Sequence, residues 1–215
     1  MDRMASDQEE ILFLFGKSRE SIEAGPYLEA LKARGLEVLL CTEPVDEYVM
    51  QTIREYKEKK ILSADSDEVK LEKIDQDEEG ESLGKKEIKA LCKWLKESLV
   101  DKVSDVETGD RLIDSPVCIV GGDAMGGASA RRVMKMMQGP EGGMPGMPAP
   151  SVKLQINPKN SIIRGLYELK DKDEPTAKLV ANQLLDNALA SANLLDDPME
   201  MIARSYQALE KITAN

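Results

Sequence analysis

The sequence has no histidine among its 215 residues. This absence excludes Ser-His and Cys-His nucleophiles, histidine metal ligands and a histidine pH switch. No apolar run approaches the roughly 20 residues that a membrane-spanning helix needs. The sequence therefore argues against ordinary hydrolase chemistry and predicts no membrane partner.

Cysteine and positive charge are also in short supply. The three cysteines, Cys41, Cys92 and Cys118, lie far apart and are odd in number. They argue against a disulfide framework, fit a reducing compartment, and are predicted to be small buried hydrophobic residues. The formal charge is −11, with no basic stripe, so nucleic acid is not an expected partner.

The first quarter of the chain alternates strand and helix patterns. Two short apolar runs, Ile11–Phe15 and Glu37–Cys41, are predicted as strands. Between them, Ser18 caps a helical stretch through Glu23, Gly25-Pro26 should interrupt it, and a second helical stretch ends at Gly35. A second amphipathic helix is indicated by apolar residues three or four apart: Val45, Val49, Ile53 and Tyr56. This order predicts a βαβ unit with parallel strands.

An acidic segment then changes the composition. Between Asp65 and Glu81 there are nine acidic and two basic residues. The spacing is not that of a calcium-binding loop, so a solvated linker is the favoured interpretation. We place a domain boundary there, dividing the chain into residues 1–75 and 76–215.

The second part is predicted to mix helices and strands. An amphipathic helix carries Ile88, Leu91, Cys92, Leu95 and Leu99, with Trp94 at the edge of its apolar stripe. Val103–Val106 and Arg111–Ile113 could pair as a hairpin. Further strands are predicted at 116–120 and 152–156, and helices at 128–137 and after Asn160. The fold class is α/β (α+β overall).

Two helices end the chain. The first has a face of small and apolar residues: Ala177, Val180, Ala181, Leu184, Ala188 and Ala192. The second opens at Asp197-Pro198 and repeats Met199, Ile202, Tyr206 and Leu209 at the spacing of a helix-packing seam. The pattern alone fits a monomeric hairpin packed on its own sheet as well as half of a dimeric four-helix bundle.

Three loops could carry chemistry. Gly16-Lys17-Ser18 follows a strand, as a phosphate loop does, but Ile11 stands where that loop needs its first glycine. The alternative function to which it points is a small α/β nucleotide- or phosphate-binding enzyme that uses the βαβ unit. The glycines at 121–127 are interpreted as a flexible connector. A methionine cluster suits either an adaptable binding surface or a loop of drifted composition: Met134, Met136, Met137, Met144 and Met147.

Several segments, in order, resemble the C-terminal half of the 90-kilodalton heat-shock chaperones. The strand and turn at 11–20 are similar to the start of the small α/β subdomain of their middle domain. The most specific match is Tyr27 to Leu39 followed by Glu43-Pro44-Val45-Asp46-Glu47-Tyr48. The motifs Leu112–Pro116, Arg132-Val133-Met134-Lys135 and Ile156-Asn157-Pro158 continue it. The similarity covers nearly the whole chain.

The resemblance implies the end of a middle domain to about residue 75, then a C-terminal domain whose last two helices build a dimeric four-helix bundle. The function implied is homodimerisation and contact with partly folded clients in a stress-response chaperone. It also implies that ATP and magnesium belong to the full-length protein, so that this chain is not an enzyme and holds no cofactor. Expected interface residues are Leu184, Leu185, Ala188, Ile202, Tyr206 and Leu209. Expected client contacts are Trp94 and the five clustered methionines.

The sequence also departs from this family. Glycine-rich Met125–Ser129 replaces a Gly-Trp-Ser-Ala-Asn turn, and 139–150 is rich in glycine and proline where an amphipathic segment is expected. The final Ala214-Asn215 lacks the Met-Glu-Glu-Val-Asp and Lys-Asp-Glu-Leu tails. No docking of tetratricopeptide co-chaperones and no endoplasmic-reticulum retention are therefore expected. An intracellular location is predicted, mitochondrial or alternatively cytoplasmic.

Overall fold

The described part of the chain folds into two mixed β-sheets and seven α-helices. The computed structural model describes residues 3–5, 8–71, 81–100, 102–121, 132, 152–195 and 197–213. The helices formed by these residues include none long and apolar enough to cross a membrane.

The first sheet has four strands in the order β2-β1-β4-β3. Strand β1 (Ile11–Phe15) is central, with β2 (Val38–Cys41) and β4 (Lys59–Ser63) parallel on either side. The short β3 (Glu55–Tyr56) pairs antiparallel with β4. The predicted βαβ unit with parallel strands is confirmed.

Short helices connect these strands. After β1 come α1 (Arg19–Glu23), a 3₁₀ turn at Pro26–Leu28 and α2 (Glu29–Ala33). Ser18 caps α1, accepting a hydrogen bond from the backbone N–H of Ser21. Gly35 has φ +67°, a conformation that favours glycine, and its N–H donates to the carbonyl of Lys32.

The next helix, α3 (Pro44–Ile53), differs from expectation in its length and in its buried face. It ends before Tyr56, which belongs to β3. The predicted apolar stripe faces solvent, since Val45, Val49 and Ile53 are exposed, and the buried residue of α3 is Glu47. Apolar residues spaced three or four apart predict a helix, but they do not by themselves predict which face of that helix is buried.

The second sheet has three strands in the order β5-β7-β6. Strand β7 (Val152–Ile156) is central, parallel to β5 (Val103–Thr108) and antiparallel to β6 (Val117–Val120). The expected hairpin between 103–106 and 111–113 is wrong, because β5 pairs with β7 instead. Helix α4 (Lys85–Ser98) packs on β5 through its predicted apolar face.

Three helices complete the chain: α5 (Ser161–Lys172), α6 (Glu174–Ser191) and α7 (Pro198–Thr213). Asn160 caps α5 by accepting from the N–H of Ile162, as predicted. Helices α6 and α7 pack against each other, and we call them the terminal hairpin. The small-residue face of α6 is buried, which confirms the predicted close packing.

One continuous apolar core joins both sheets and α6. Cys41 and Cys118 are buried and Cys92 is half-buried, all three as free thiols. Burial raises the pKa of Cys41 to about 11 and that of Cys118 to about 12. These cysteines therefore pack as hydrophobic residues, as predicted.

The first residue of the acidic segment is buried, contrary to expectation: Asp65 is 1% exposed, whereas Asp67 and Glu68 are exposed. The carbonyl of Asp65 accepts from the N–H of Gly121, directly after β6. We call residues 63–69 the connector. Residues 72–80 lie outside the described residues, so the boundary near residue 75 stays a prediction. We refer to residues 8–71 as the first unit and to the second sheet with α4 and α5 as the second unit.

Candidate functional site

A buried cluster of charges lies where the two units and the terminal hairpin meet. The Arg132 guanidinium is 2.7 Å from a carboxylate oxygen of Glu47 and 2.8 Å from one of Asp65. Its Nε also donates to Glu47 at 2.8 Å, and Nη1 donates to the carbonyl of Ala192 at 2.9 Å. One side chain thus joins α3, the connector and the end of α6.

The electrostatics of this cluster favour a permanently charged arginine. Burial opposes the charge of Arg132, but the charges of Asp65 and Glu47 and their hydrogen bonds outweigh it and raise the pKa of Arg132. The Phe15 ring lies 6.0 Å from the guanidinium carbon. A buried ion cluster of this kind adds little to the free energy of unfolding compared with apolar residues of the same size. Removing one of its members is strongly destabilising, because an unpaired charge then stays buried.

A second buried arginine holds the connector through its backbone. Arg111 donates to the carbonyls of Ala64 at 2.5 Å and Val69 at 2.7 Å, and also to that of Ser66. Burial lowers the pKa of Arg111. The connector is therefore fixed by two arginines that come from beyond it in the sequence.

A third contact between the units is a carboxylate held by backbone amides. Glu29, the first residue of α2, accepts from the N–H groups of Ile113 at 2.8 Å, Asp114 at 3.0 Å and Ser115 at 3.1 Å. The Ser115 hydroxyl donates to the same carboxylate. Tyr27 adds a buried hydrogen bond to the carbonyl of Ile119 at 2.9 Å. The first unit is thus bound to the loop before β6 by directional polar contacts.

Replacing Glu29 tests this contact. We expect Glu29→Gln to lower the free energy of unfolding by about 1–3 kcal/mol, because an amide nitrogen would face backbone donors and the charged acceptor would be lost. Urea denaturation followed by circular dichroism measures the change. Glu23→Gln is the matched control, since Glu23 pairs with Arg19 at the surface of α1, and it should be nearly neutral. Equal stabilities of the two variants would contradict the assignment.

The terminal hairpin has one covered and one uncovered apolar face. Its last helix, α7, has no buried residue. Five large apolar side chains on it are between 37% and 72% exposed: Met199, Ile202, Tyr206, Leu209 and Ile212. The seam predicted from the sequence therefore faces away from its own chain.

The residues expected at the dimer interface separate into two groups. Leu184, Leu185 and Ala188 on α6 lie in the chain's own core, so their burial needs no partner. Ile202, Tyr206 and Leu209 on α7 are exposed together. The interface prediction consequently depends on α7.

Of the expected client contacts, one can be located. Trp94 lies on α4, half-buried, and packs at the border of the core. The others lie outside the described residues: Met134, Met136, Met137, Met144 and Met147. The predicted helix at 128–137 lies outside them too, apart from residue 132.

The loop after β1 lines a cleft of about 220 Å³ between β1, α1 and the end of α6. Two of its backbone donors are already used: the N–H of Gly16 donates to the carbonyl of Cys41, and that of Ser18 to the hydroxyl of Ser21. A Cβ at Gly16 would overlap the side chain of Ile22. Gly16 therefore serves the packing of α1, and the loop lacks a phosphate cradle.

Comparison with known proteins identifies the family. A family model described as "Hsp90 protein" matches residues 1–214. The chain belongs to the heat-shock protein 90 family. It is 38% identical over 212 residues to "Chaperone protein HtpG" of Desulfotalea psychrophila, covering 97% of this chain and 34% of the relative. It is 32% identical over 214 residues to "Heat shock protein 75 kDa, mitochondrial" of Bos taurus, covering 97% of this chain and 30% of that protein.

The match extends to an "Endoplasmin homolog" of Catharanthus roseus, at 31% identity over 214 residues, 98% of this chain and 26% of that protein. The chain thus spans about a third or less of the length of these relatives. The heat-shock protein 90 resemblance inferred from the sequence is confirmed at the level of the family of chaperones. The comparisons do not show to which part of those longer proteins the chain corresponds.

The family match corrects two expectations, that this chain is not an enzyme and that it holds no cofactor. Both expectations relied on assigning the chain to one part of its relatives, whereas the match over residues 1–214 establishes the family and not the part. They therefore do not stand. ATP and magnesium are the groups that the sequence resemblance assigns to the full-length protein.

The described residues can be tested for their fit to ATP and magnesium. Among them, no group of three or more cysteine, aspartate or glutamate residues is placed to hold a metal ion. In the loop at Gly16, the amides of Gly16 and Ser18 are engaged within the chain. The described residues do not fit the group, and no catalytic step is derived through it.

Sequence reasoning missed the residues that hold the units together. Arg132 and Glu47 stand only within motifs of the family resemblance, and Asp65 only at the start of a predicted linker. Glu29 and Arg111 carried no local signal, because their partners lie 42 to 86 positions away.

Proposed function

We propose that this chain is the C-terminal part of a heat-shock protein 90 chaperone and that it forms a homodimer through its terminal hairpin. The observation that supports this best is the exposed stripe on α7, from Met199 to Ile212. A helix with its apolar stripe in water is typical of a surface that a partner covers.

The hairpin is already held in shape for such a partner. Met201, Ser205 and Ala208 lie half-buried on the face of α7 that packs on α6. Arg204 of α7 pairs with Asp186 of α6, both of them mostly buried. Two copies related by a two-fold axis would bury both stripes in a four-helix bundle. The stripe residues Ile202, Tyr206 and Leu209 would form its seam.

Contact with partly folded clients is the second half of the proposal. The five clustered methionines and Trp94 are its residues, because flexible thioether side chains adapt to irregular apolar surfaces. The methionines lie in the sequence between β6 and β7, two strands of the second sheet, and Trp94 lies on α4, which packs on β5 of the same sheet. The family's printed names, chaperone and heat-shock protein, support this role.

An aggregation assay tests client contact. The chain, in equimolar amount, should slow the light scattering of a chemically denatured test protein. Replacing Met134, Met136 and Met137 together by serine should weaken that effect, because apolar contact surface is lost. Met50→Ser, a half-buried methionine on α3, is the control and should act like the unmodified chain. No protection by the chain, or equal protection by the triple variant, would contradict the proposal.

The alternative, a small nucleotide- or phosphate-binding enzyme that uses the βαβ unit, gains no support from the loop at Gly16. The relatives are consistent with an intracellular location. A mitochondrial location for this chain is proposed beside a cytoplasmic one. Two of the HtpG relatives are 38% identical to the chain, against 32% for the mitochondrial protein, which supports the cytoplasmic alternative.

A further inference from the structure

Two buried arginines hold the connector, and only one of them also reaches the terminal hairpin. Arg111 contacts the backbone carbonyls of Ala64, Ser66 and Val69. Arg132 binds the carboxylate of Asp65 through Nη2 and the carbonyl of Ala192 through Nη1. Arg111 therefore holds the connector alone, whereas Arg132 also links the connector to α6, and comparing the two arginines separates these roles.

Ala192 marks the point at which the hairpin turns. It is the C-cap of α6, and Asn193 after it adopts φ 55°, in the left-handed region. The N–H groups of Asn193 and Leu194 fold back to the carbonyls of Ala190 and Leu189. The turn at Ala192 to Leu194 therefore sets the position and the direction of the chain that leads to α7, which begins at Pro198.

Other contacts of α6 outside the hairpin lie mainly in the second unit. Among the described residues, its principal partners there are α5 and β6, with a smaller contact to α4. Between the end of α6 and the first unit there is instead a cleft of about 220 Å³, which Phe15, Lys17, Ala190 and Asn193 help to line. Phe15 also lies beneath the Arg132 guanidinium. The Arg132 guanidinium therefore links the first unit to the end of α6 next to this cleft.

We propose that Arg132 is a positioning residue that fixes the orientation of the terminal hairpin relative to the first unit. Each nitrogen of its planar guanidinium has a partner. Nε binds Glu47, Nη2 binds Glu47 and Asp65, and Nη1 binds the carbonyl of Ala192. A lysine ammonium keeps the charge but cannot reproduce this fixed fork. The functional meaning rests on the proposed dimer: the hairpin that joins two copies is held to the first unit of each copy through this side chain.

Amide hydrogen exchange on the full chain tests the inference, with Arg132→Lys compared against Arg111→Lys. In Arg132→Lys, the amides of Asn193 and Leu194 should exchange roughly tenfold to a hundredfold faster, the range expected from loss of a hydrogen bond to a charged group. Amides of α5 should keep their rates and report that the fold is intact. In Arg111→Lys, faster exchange should appear at Ser66 and Val69 and leave the turn unchanged.

Two outcomes would overturn the inference: an unchanged turn in Arg132→Lys, or equal acceleration of the turn in both variants. If Arg132→Lys fails to fold, Glu47→Gln replaces it, because it removes one charge and keeps an acceptor. The same local acceleration is expected there, and its absence is equally decisive. The solution mass separates this inference from the proposed dimer: a monomer whose turn is released by Arg132→Lys upholds the positioning role and refutes the dimer.

Discussion

Leu209→Glu should convert the dimer into a monomer. Leu209 is 53% exposed in the single chain and lies in the middle of the α7 stripe. In a two-fold bundle each substitution appears twice, and an unpaired charge buried in the seam costs several kcal/mol. Light scattering should show the mass of one chain at concentrations where the unmodified chain is a dimer.

Gln207→Glu is the matched control for this result. It introduces the same side chain on the same helix, at an exposed position away from the apolar stripe. The control should keep the dimer mass, because its carboxylate stays in water. If Leu209→Glu also keeps the dimer mass, the two copies associate through another surface and the assignment of α7 is wrong.

Arg132→Met should destabilise the chain by about 3–5 kcal/mol, because two buried carboxylates lose their counter-charge. Glu47 and Asp65 are 0% and 1% exposed, so water cannot take over the role of the arginine. A loss of this size is a large part of the stability of an ordinary domain. The midpoint of urea denaturation, measured at neutral pH, gives the change.

Two further variants make that experiment specific. Combining Arg132→Met with Glu47→Gln and Asp65→Asn should recover much of the lost stability, since no unpaired charge then stays buried. Arg164→Met removes an arginine whose partner Glu81 is at the surface, and it should cost little. A loss below about 1 kcal/mol for Arg132→Met would show that the cluster is open to solvent.

Much of the fold could be predicted from local pattern. The strands β1, β2, β6 and β7 follow from short apolar runs between turn residues, and α4 to α7 from apolar spacing and caps such as Asn160. The parallel pairing of β1 and β2 followed from the short helical connection between them. These features depend on residues that are close in the sequence.

The errors arose where a distant contact decides the outcome. Strand β5 pairs with β7, which begins 49 positions after the start of β5 in the matched register Val103–Val152, and no local signal favours that partner over a near one. Helix α3 buries Glu47 and exposes its apolar stripe because Arg132 binds Glu47. Asp65 is buried by the same arginine although its surroundings in the sequence are acidic and polar.

In the candidate site, too, the features set by nearby residues could be predicted and those set by distant contacts could not. The α7 stripe could be predicted from its spacing, and its exposure on the single chain required the structure. The interface residues of α6 could not be separated from core residues by sequence, because Leu185 packs inside its own chain. Both a dimer seam and a monomer core use the same apolar side chains at the same helical spacing.

The solution mass of the unmodified chain across a concentration series tests the central claim most directly. The account predicts a stable mass of twice 23.8 kDa, down to the lowest concentration at which light scattering gives a signal. A mass of 23.8 kDa at every concentration would contradict it, because the exposed stripe of α7 would then have no second copy to cover it.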